Sequence, residues 1–157
     1  MDLGGSVELT MKSFYEMSNI LQVSYTAVVL FPADRTKLLA NFSIPEGFQP
    51  IAHHMTINMG AAANGPAAAI VGQKFKLTVV SIAQDEKVMA VGVETECPST
   101  NKIKHITLAV NRDAGGKPFH SNQLKDWQPV SHIELNGFVA ELGRGDEILS
   151  PMGNQPN

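Results

Sequence analysis

The sequence predicts a small α+β domain, and three observations predict it. Short runs rich in β-branched and aromatic residues recur between Gly, Pro and polar clusters, as strands do. Two of these runs flank a short polar segment, Gln84-Asp85-Glu86-Lys87, like the arms of a hairpin. One stretch, Ala33 to Phe42, carries helical signals directly after a proline. At 157 residues the chain is long enough for one domain with short extensions. We expect a helical N-terminal extension over residues 1–22, a folded body over 23–142 and a flexible tail over 143–157.

Taken in order, Val7 to Leu21 carries Leu9, Phe14, Met17, Ile20 and Leu21 at loosely helical spacing, which predicts a short helix. Tyr25 to Phe31 reads as a buried strand. Pro32 suits the first position of the helix that follows, and Asp34 in its first turn favours the dipole. Leu38, Leu39 and Phe42 give that helix an apolar stripe. Pro45-Glu46-Gly47 is a turn. Ile51 to Gly60 is strand-like, and Ala61 to Gly72 reads as a small-residue loop. Phe75 to Ala83 and Val88 to Glu96 are the hairpin arms, and Ile103 to Val110 is a further strand. Asn111 to Asp126 reads as a long surface loop of the kind that carries binding residues. Ser131 to Leu142 is the last expected strand.

Composition narrows the chemistry. The single cysteine, Cys97, excludes a disulfide framework, a thiolate zinc finger and an iron–sulfur centre. A formal charge of −3 argues against coating long nucleic acid, because a phosphate-tracking surface needs clustered Lys and Arg. No apolar run approaches the ~20 residues of a membrane span, and the N-terminus lacks the basic start of a signal peptide. A cytoplasmic protein with no membrane partner is the expectation. What remains for chemistry is mostly the five histidines.

Two of them lie in an internal echo. His54-Met55-Thr56-Ile57 and His105-Ile106-Thr107-Leu108 share one pattern of His, apolar, Thr, apolar. On a strand, residues i and i+2 point to one face. So His54 and Thr56 share a polar face with Asn58, while Met55, Ile57 and Met59 should face the core. In the second copy His105 and Thr107 oppose Ile106, Leu108 and Val110. If the strands meet, two imidazoles and two hydroxyls converge. A neutral His can take a proton from water or a ribose hydroxyl, and a protonated His can give one to the leaving oxygen. Thr hydroxyls can donate to the non-bridging phosphate oxygens where charge grows. Five His and eight Thr placed at random give only about 0.25 His-x-Thr triplets, so two copies in matched β-like frames favour a site.

With these two motifs the chain resembles the 2H phosphoesterases, which include bacterial ligT-like enzymes, the cyclic phosphodiesterase domains of tRNA ligases and AKAP-associated 2H domains. The resemblance covers about residues 23 to 142 and rests on His54, Thr56, His105 and Thr107, with the order of elements around them. It implies a bilobal fold in which antiparallel sheets with flanking helices surround a central cleft. It implies catalysis by His54, Thr56, His105 and Thr107 without a cofactor. The implied substrates are 2′,3′-cyclic phosphates, 2′–5′ linkages or cyclic-nucleotide signals, including signals of immunity. With no good helix between Asn111 and Gln128, a reduced second lobe is expected.

Around the motifs, Tyr25, Lys102, Lys117, His120 and Trp127 are candidates for holding substrate. Tyr25 either stacks on a base or belongs to the core, as strand aromatics usually do. Lys102 can line the rim, whereas Lys104 alternates with His105 and should face away. Lys117 and His120 can reach over the cleft from their loop. Trp127 is either a lid residue or a base platform. His53 should point to the core face or a neighbouring strand edge, and His132 is structural or exposed. Two other classes compete: a module that binds a nucleotide or RNA end without cleaving it, and a metal hydrolase built on His53, His54, His105 and His120. The scarcity of carboxylates beside the motifs weakens the second.

Overall fold

A computed structural model describes residues 22–152 of the chain. The helix expected within Val7 to Leu21 lies outside the described residues. Strand β1 (Tyr25–Leu30) is buried along its whole length. Its β-branched run serves two cores, because Val28 and Leu30 pack on one face while Tyr25, Ala27 and Val29 pack on the other. Helix α1 (Pro32–Ala40) follows at once. Phe31 is extended at its N-cap, Pro32 opens it, and Leu38 is the side chain it buries fully. The helix ends two residues before Phe42, where the Asn41 N–H closes back on the Leu38 carbonyl.

Of the strand expected from Ile51 to Gly60, the structure keeps β3 (His54–Met59), which pairs with β1, and a separate short strand just before it, β2 (Gln49–Pro50), pairs with β6 (His105–Val110). Between them Ala52 sits at φ 45°, a left-handed conformation that costs a non-glycine residue energy and turns the chain from one partner to the other. The hairpin forms as expected, as β4 (Lys74–Gln84), one residue longer at each end, and β5 (Val88–Glu94), which stops two residues early. The Asp85 carboxylate closes its turn by accepting the N–H groups of Lys87 and Val88. Strand β7 (Gln128–Leu142) starts three residues earlier than expected. Pro129 is tolerated there because only residues 137–142 of β7 pair with β1, which leaves that side of its first half outside the ladder.

All pairings are antiparallel, and the strand order is β2-β6-β5-β4-β7-β1-β3. The sheet is therefore continuous and curls into a half-barrel, so the expectation of separate antiparallel sheets is corrected. The cause is the β4–β7 ladder, which joins β3-β1-β7 on one side to β4-β5-β6, with β2 beyond it, on the other. Each half carries its motif strand on the side away from that seam. The long loop after β6 contains no α-helix among the described residues. It is organised by 3-10 turns at Arg112–Ala114 and Pro118–Gln123. The segment expected to be a free tail is corrected in its first part. It turns at residues 143–147 and returns as β8 (Ile148–Ser150) against β7.

Candidate active site

Curling the sheet brings its two motif strands together, and reciprocal bonds hold them. The segment leading into β3 donates from Ile51 N–H to the Leu108 carbonyl (2.8 Å) and from Ala52 N–H to the Thr107 carbonyl (3.0 Å). The segment leading into β6 answers. The Thr100 N–H (2.8 Å) and hydroxyl (3.0 Å) both donate to the Ile57 carbonyl, and the Ser99 hydroxyl donates to the Thr56 carbonyl (2.9 Å). So each motif's third and fourth carbonyls are taken by the chain that precedes the other motif.

The fourth position is special in both copies. Ala27 pairs with Thr56 and Thr26 with Asn58, which leaves Ile57 as an extra residue in β3. Ala90 pairs with Thr107 and Met89 with Ala109, which leaves Leu108 extra in β6. Each is a β-bulge, and a bulge reverses the alternation beyond it. This corrects the expected faces at the end of β3. Asn58 is buried, and Met59 is 74% exposed at the cavity rim. Asn58 instead holds the following turn, donating to the carbonyls of Met59 (3.0 Å) and Ala61 (3.2 Å).

His54, Thr56, His105 and Thr107 line one cavity of about 350 Å³. Tyr25, Asp146, Arg112, Asn101 and Phe119 share its walls. His105 is buried, and its Nδ1 lies 2.8 Å from the Ile103 carbonyl, which can only accept. Nδ1 therefore carries the hydrogen, and the bare Nε2 is the nitrogen left for the cleft. Burial lowers the His105 pKa, while the bond to Ile103 opposes that fall. Thr107 Oγ1 lies 2.8 Å from the buried Ser121 hydroxyl and 3.3 Å from the Pro118 carbonyl. The Thr107 hydroxyl donates to that carbonyl, so when Ser121 donates to Thr107 the Thr107 hydrogen has only to leave this long bond to reach a ligand oxygen.

His54 has a different support. The Tyr25 hydroxyl donates to Asp146 Oδ1 at 2.6 Å, so its oxygen, 3.5 Å from His54 Nδ1, can only accept there. His53 Nδ1 is 3.0 Å from the same His54 nitrogen. A hydrogen on His54 Nδ1 satisfies both neighbours and again leaves Nε2 bare. Burial pushes the His54 pKa down to about 4, His53 adds to the fall, and the Asp146 carboxylate opposes it. The Tyr25 hydroxyl is pushed up by burial and by Asp146, so it stays protonated.

The structure does not bring every sequence candidate to this cavity. Lys102 and Trp127 line an adjoining groove that shares His105 with it. Lys117 and His120 are not among its lining residues. The His120 Nδ1 accepts the Lys117 N–H at 3.0 Å and so caps the turn that carries Phe119, against which its ring lies at 4.3 Å. His53, read as structural, sits against His54 and is the closer accessory. Sequence reasoning missed Asp146 because it lies in the expected tail, and Arg112 because nothing in the loop marked it. Among the described residues no group of three or more His, Cys, Asp and Glu is placed to hold a metal ion. No described helix is long and apolar enough to cross a membrane.

Residues 49–140 match the model of the fungal tRNA ligase phosphodiesterase domain. No curated protein and no solved structure gives a significant match. The matched stretch runs from β2 into β7 and takes in both His-x-Thr strands with the loops that bind them together. The chain thus belongs to the fungal tRNA ligase phosphodiesterase domain family, a 2H phosphoesterase family, and phosphodiesterase chemistry comes with that membership.

Proposed function

We propose that the protein hydrolyses the 2′,3′-cyclic phosphate at an RNA end, using His54 and His105 as acid and base. The observation that carries this reading is the pair of imidazoles in one cavity, each with its Nδ1 engaged by a neighbour. Water attacks phosphorus and gives its proton to one imidazole. The bond from phosphorus to one ribose oxygen breaks, and the other imidazole protonates that oxygen. Their unlike surroundings assign the roles. His54 is held neutral far below neutrality and is backed by Tyr25 and Asp146, so it is the base. Its cation, once formed, is stabilised by the Asp146 carboxylate. His105 is the acid, and an anionic phosphate beside it favours its charged form. Thr56 and Thr107 donate to the non-bridging oxygens, and Arg112 at the cavity wall adds a positive charge.

The test is hydrolysis of 2′,3′-cyclic nucleotides and of RNA ending in the same group, followed by chromatography. We expect turnover that EDTA leaves unchanged. An intact cyclic phosphate recovered after prolonged incubation would support sequestration instead.

Two further results follow. Thr107→Val and Thr56→Val should each lower kcat about 10–100-fold, with the smaller change in KM, because donors to a growing charge act in the transition state. Thr107 should matter more, since Ser121 orients its hydroxyl, and Ser121→Ala should reproduce part of that loss. Asp146→Asn should shift the acidic limb of the pH–kcat/KM profile to lower pH, because it removes the charge that opposes the fall in the His54 pKa. An unmoved limb would detach Asp146 from the base.

A further inference from the structure

We infer that the groove beside the catalytic cavity binds the RNA strand on the 5′ side of the cyclic phosphate, so that the enzyme prefers an oligonucleotide end to a mononucleotide. The inference rests on the reading of the cavity as a cyclic phosphodiesterase site. The groove has a volume of about 900 Å³ and is lined in part by His105. It shares Thr100, Asn101, His105 and Asn122 with the catalytic cavity, so the two spaces are continuous.

Its chemistry differs from the protein's average. The chain carries a formal charge of −3, yet Lys102 and Lys125 line the groove and no carboxylate does. Both lysines are exposed, and neither has an ion-pair partner among the described residues. An ammonium that is neither paired nor buried is available to a phosphate. The groove also has an aromatic wall. Trp127 is half-buried against the Ala83, Val88, Ala90, Val110 and Leu124 cluster. It also lies close to Gly92, where a β-carbon would come within 3.4 Å of its ring. Its ring centroid is 6.5 Å from that of His105. The core thus fixes an indole one short step from the reacting phosphate. Free cations beside a fixed aromatic are what single-stranded nucleic acid requires, the cations for its phosphates and the ring for a stacked base. A strand whose cyclic phosphate sits at His105 runs 5′ into the groove, with its first linkage phosphate towards the lysines and a base towards Trp127. A mononucleotide leaves all of this unused.

Binding of products tests the groove without relying on turnover. Quenching of Trp127, the chain's only tryptophan, reports affinity for a trinucleotide and for a nucleoside that carry the same terminal ribose monophosphate, each tried as the 2′- and as the 3′-isomer. We expect the trinucleotide to bind at least tenfold more tightly. Lys102→Ala and Lys125→Ala should each cut that advantage severalfold and reduce the slope of log K against log salt by about 0.7. Equal affinities in the wild-type protein, or an advantage that neither lysine variant moves, would overturn the groove even if cyclic phosphates are hydrolysed. A trinucleotide advantage that depends on both lysines, in a protein that hydrolyses nothing, would support the groove and refute the phosphodiesterase reading.

Discussion

Replacing His54 or His105 with alanine should lower kcat/KM for a 2′,3′-cyclic nucleotide about 10²–10⁴-fold, the range in which a positioned acid or base contributes. Both residues line the cavity from strands fixed by other contacts. His54 lies in the β1 ladder, and β6 is held by β5 and by the Ile51 and Ala52 amides. The fold should therefore survive, which circular dichroism and thermal melting check. The two variants separate on a substrate with a better leaving group. A nucleoside 4-nitrophenyl phosphodiester expels nitrophenolate, which needs no proton from an acid. The His105→Ala deficit should shrink on that substrate by tenfold or more, because its proposed role is to protonate the leaving oxygen. The His54→Ala deficit should persist, because water still has to lose its proton. If the pattern is reversed, the roles are exchanged. If neither variant loses activity on either substrate, the paired-imidazole mechanism is wrong.

The motifs were readable because strand alternation is a local property. A His and a Thr two residues apart share a face wherever the strand goes, and Met55, Ile57, Ile106 and Leu108 mark the other face. What surrounds the motifs was less readable, for physical reasons. Met59 was assigned to the core by alternation, and the bulge at Ile57 put it at the rim. A bulge is a backbone choice that forms because the Ile57 carbonyl finds donors on Thr100, a long way along the chain. Ala52 shows no sign in sequence of its left-handed turn, since alanine is a poor residue for it. The sheet supports that turn by pairing both flanks. Asp146 was hidden by composition. Gly, Arg and Asp after β7 read as the start of a tail, yet Asp146 adopts φ 64°, which Asp tolerates, and returns its carboxylate to Tyr25. His120 is the opposite case. Its loop looked suited to binding, and its imidazole is spent on capping the Lys117 amide. Sequence leaves Tyr25 open between core and site, and the structure buries it in the sheet with its hydroxyl beside His54.

The histidine proposed as base should also make the fold sensitive to acid. In the folded protein the His54 pKa falls to about 4, against 6.5 in an unfolded chain. Between these values the unfolded state binds more protons, so stability rises with pH across the window. The contribution is complete above pH 6.5 and is lost as pH falls towards 4. Each pH unit in the window is worth about 1.4 kcal/mol, so His54 alone withdraws about 2 kcal/mol by pH 5 and about 3 kcal/mol by pH 4. Burial lowers the pKa of His53 and His105 as well, so both add in the same direction. Urea unfolding at pH 7.5 and pH 5.0 measures the total. Carboxylate protonation also contributes at low pH, so the informative quantity is the difference between wild type and His54→Gln, whose side chain is neutral throughout. The variant should lose about 2 kcal/mol less than the wild type between the two pH values, even if it starts less stable at pH 7.5. Equal losses would mean that His54 protonates as easily in the fold as in the open chain. It would then hold its proton at pH 6, and the assignment of the base to His54 would fall with it.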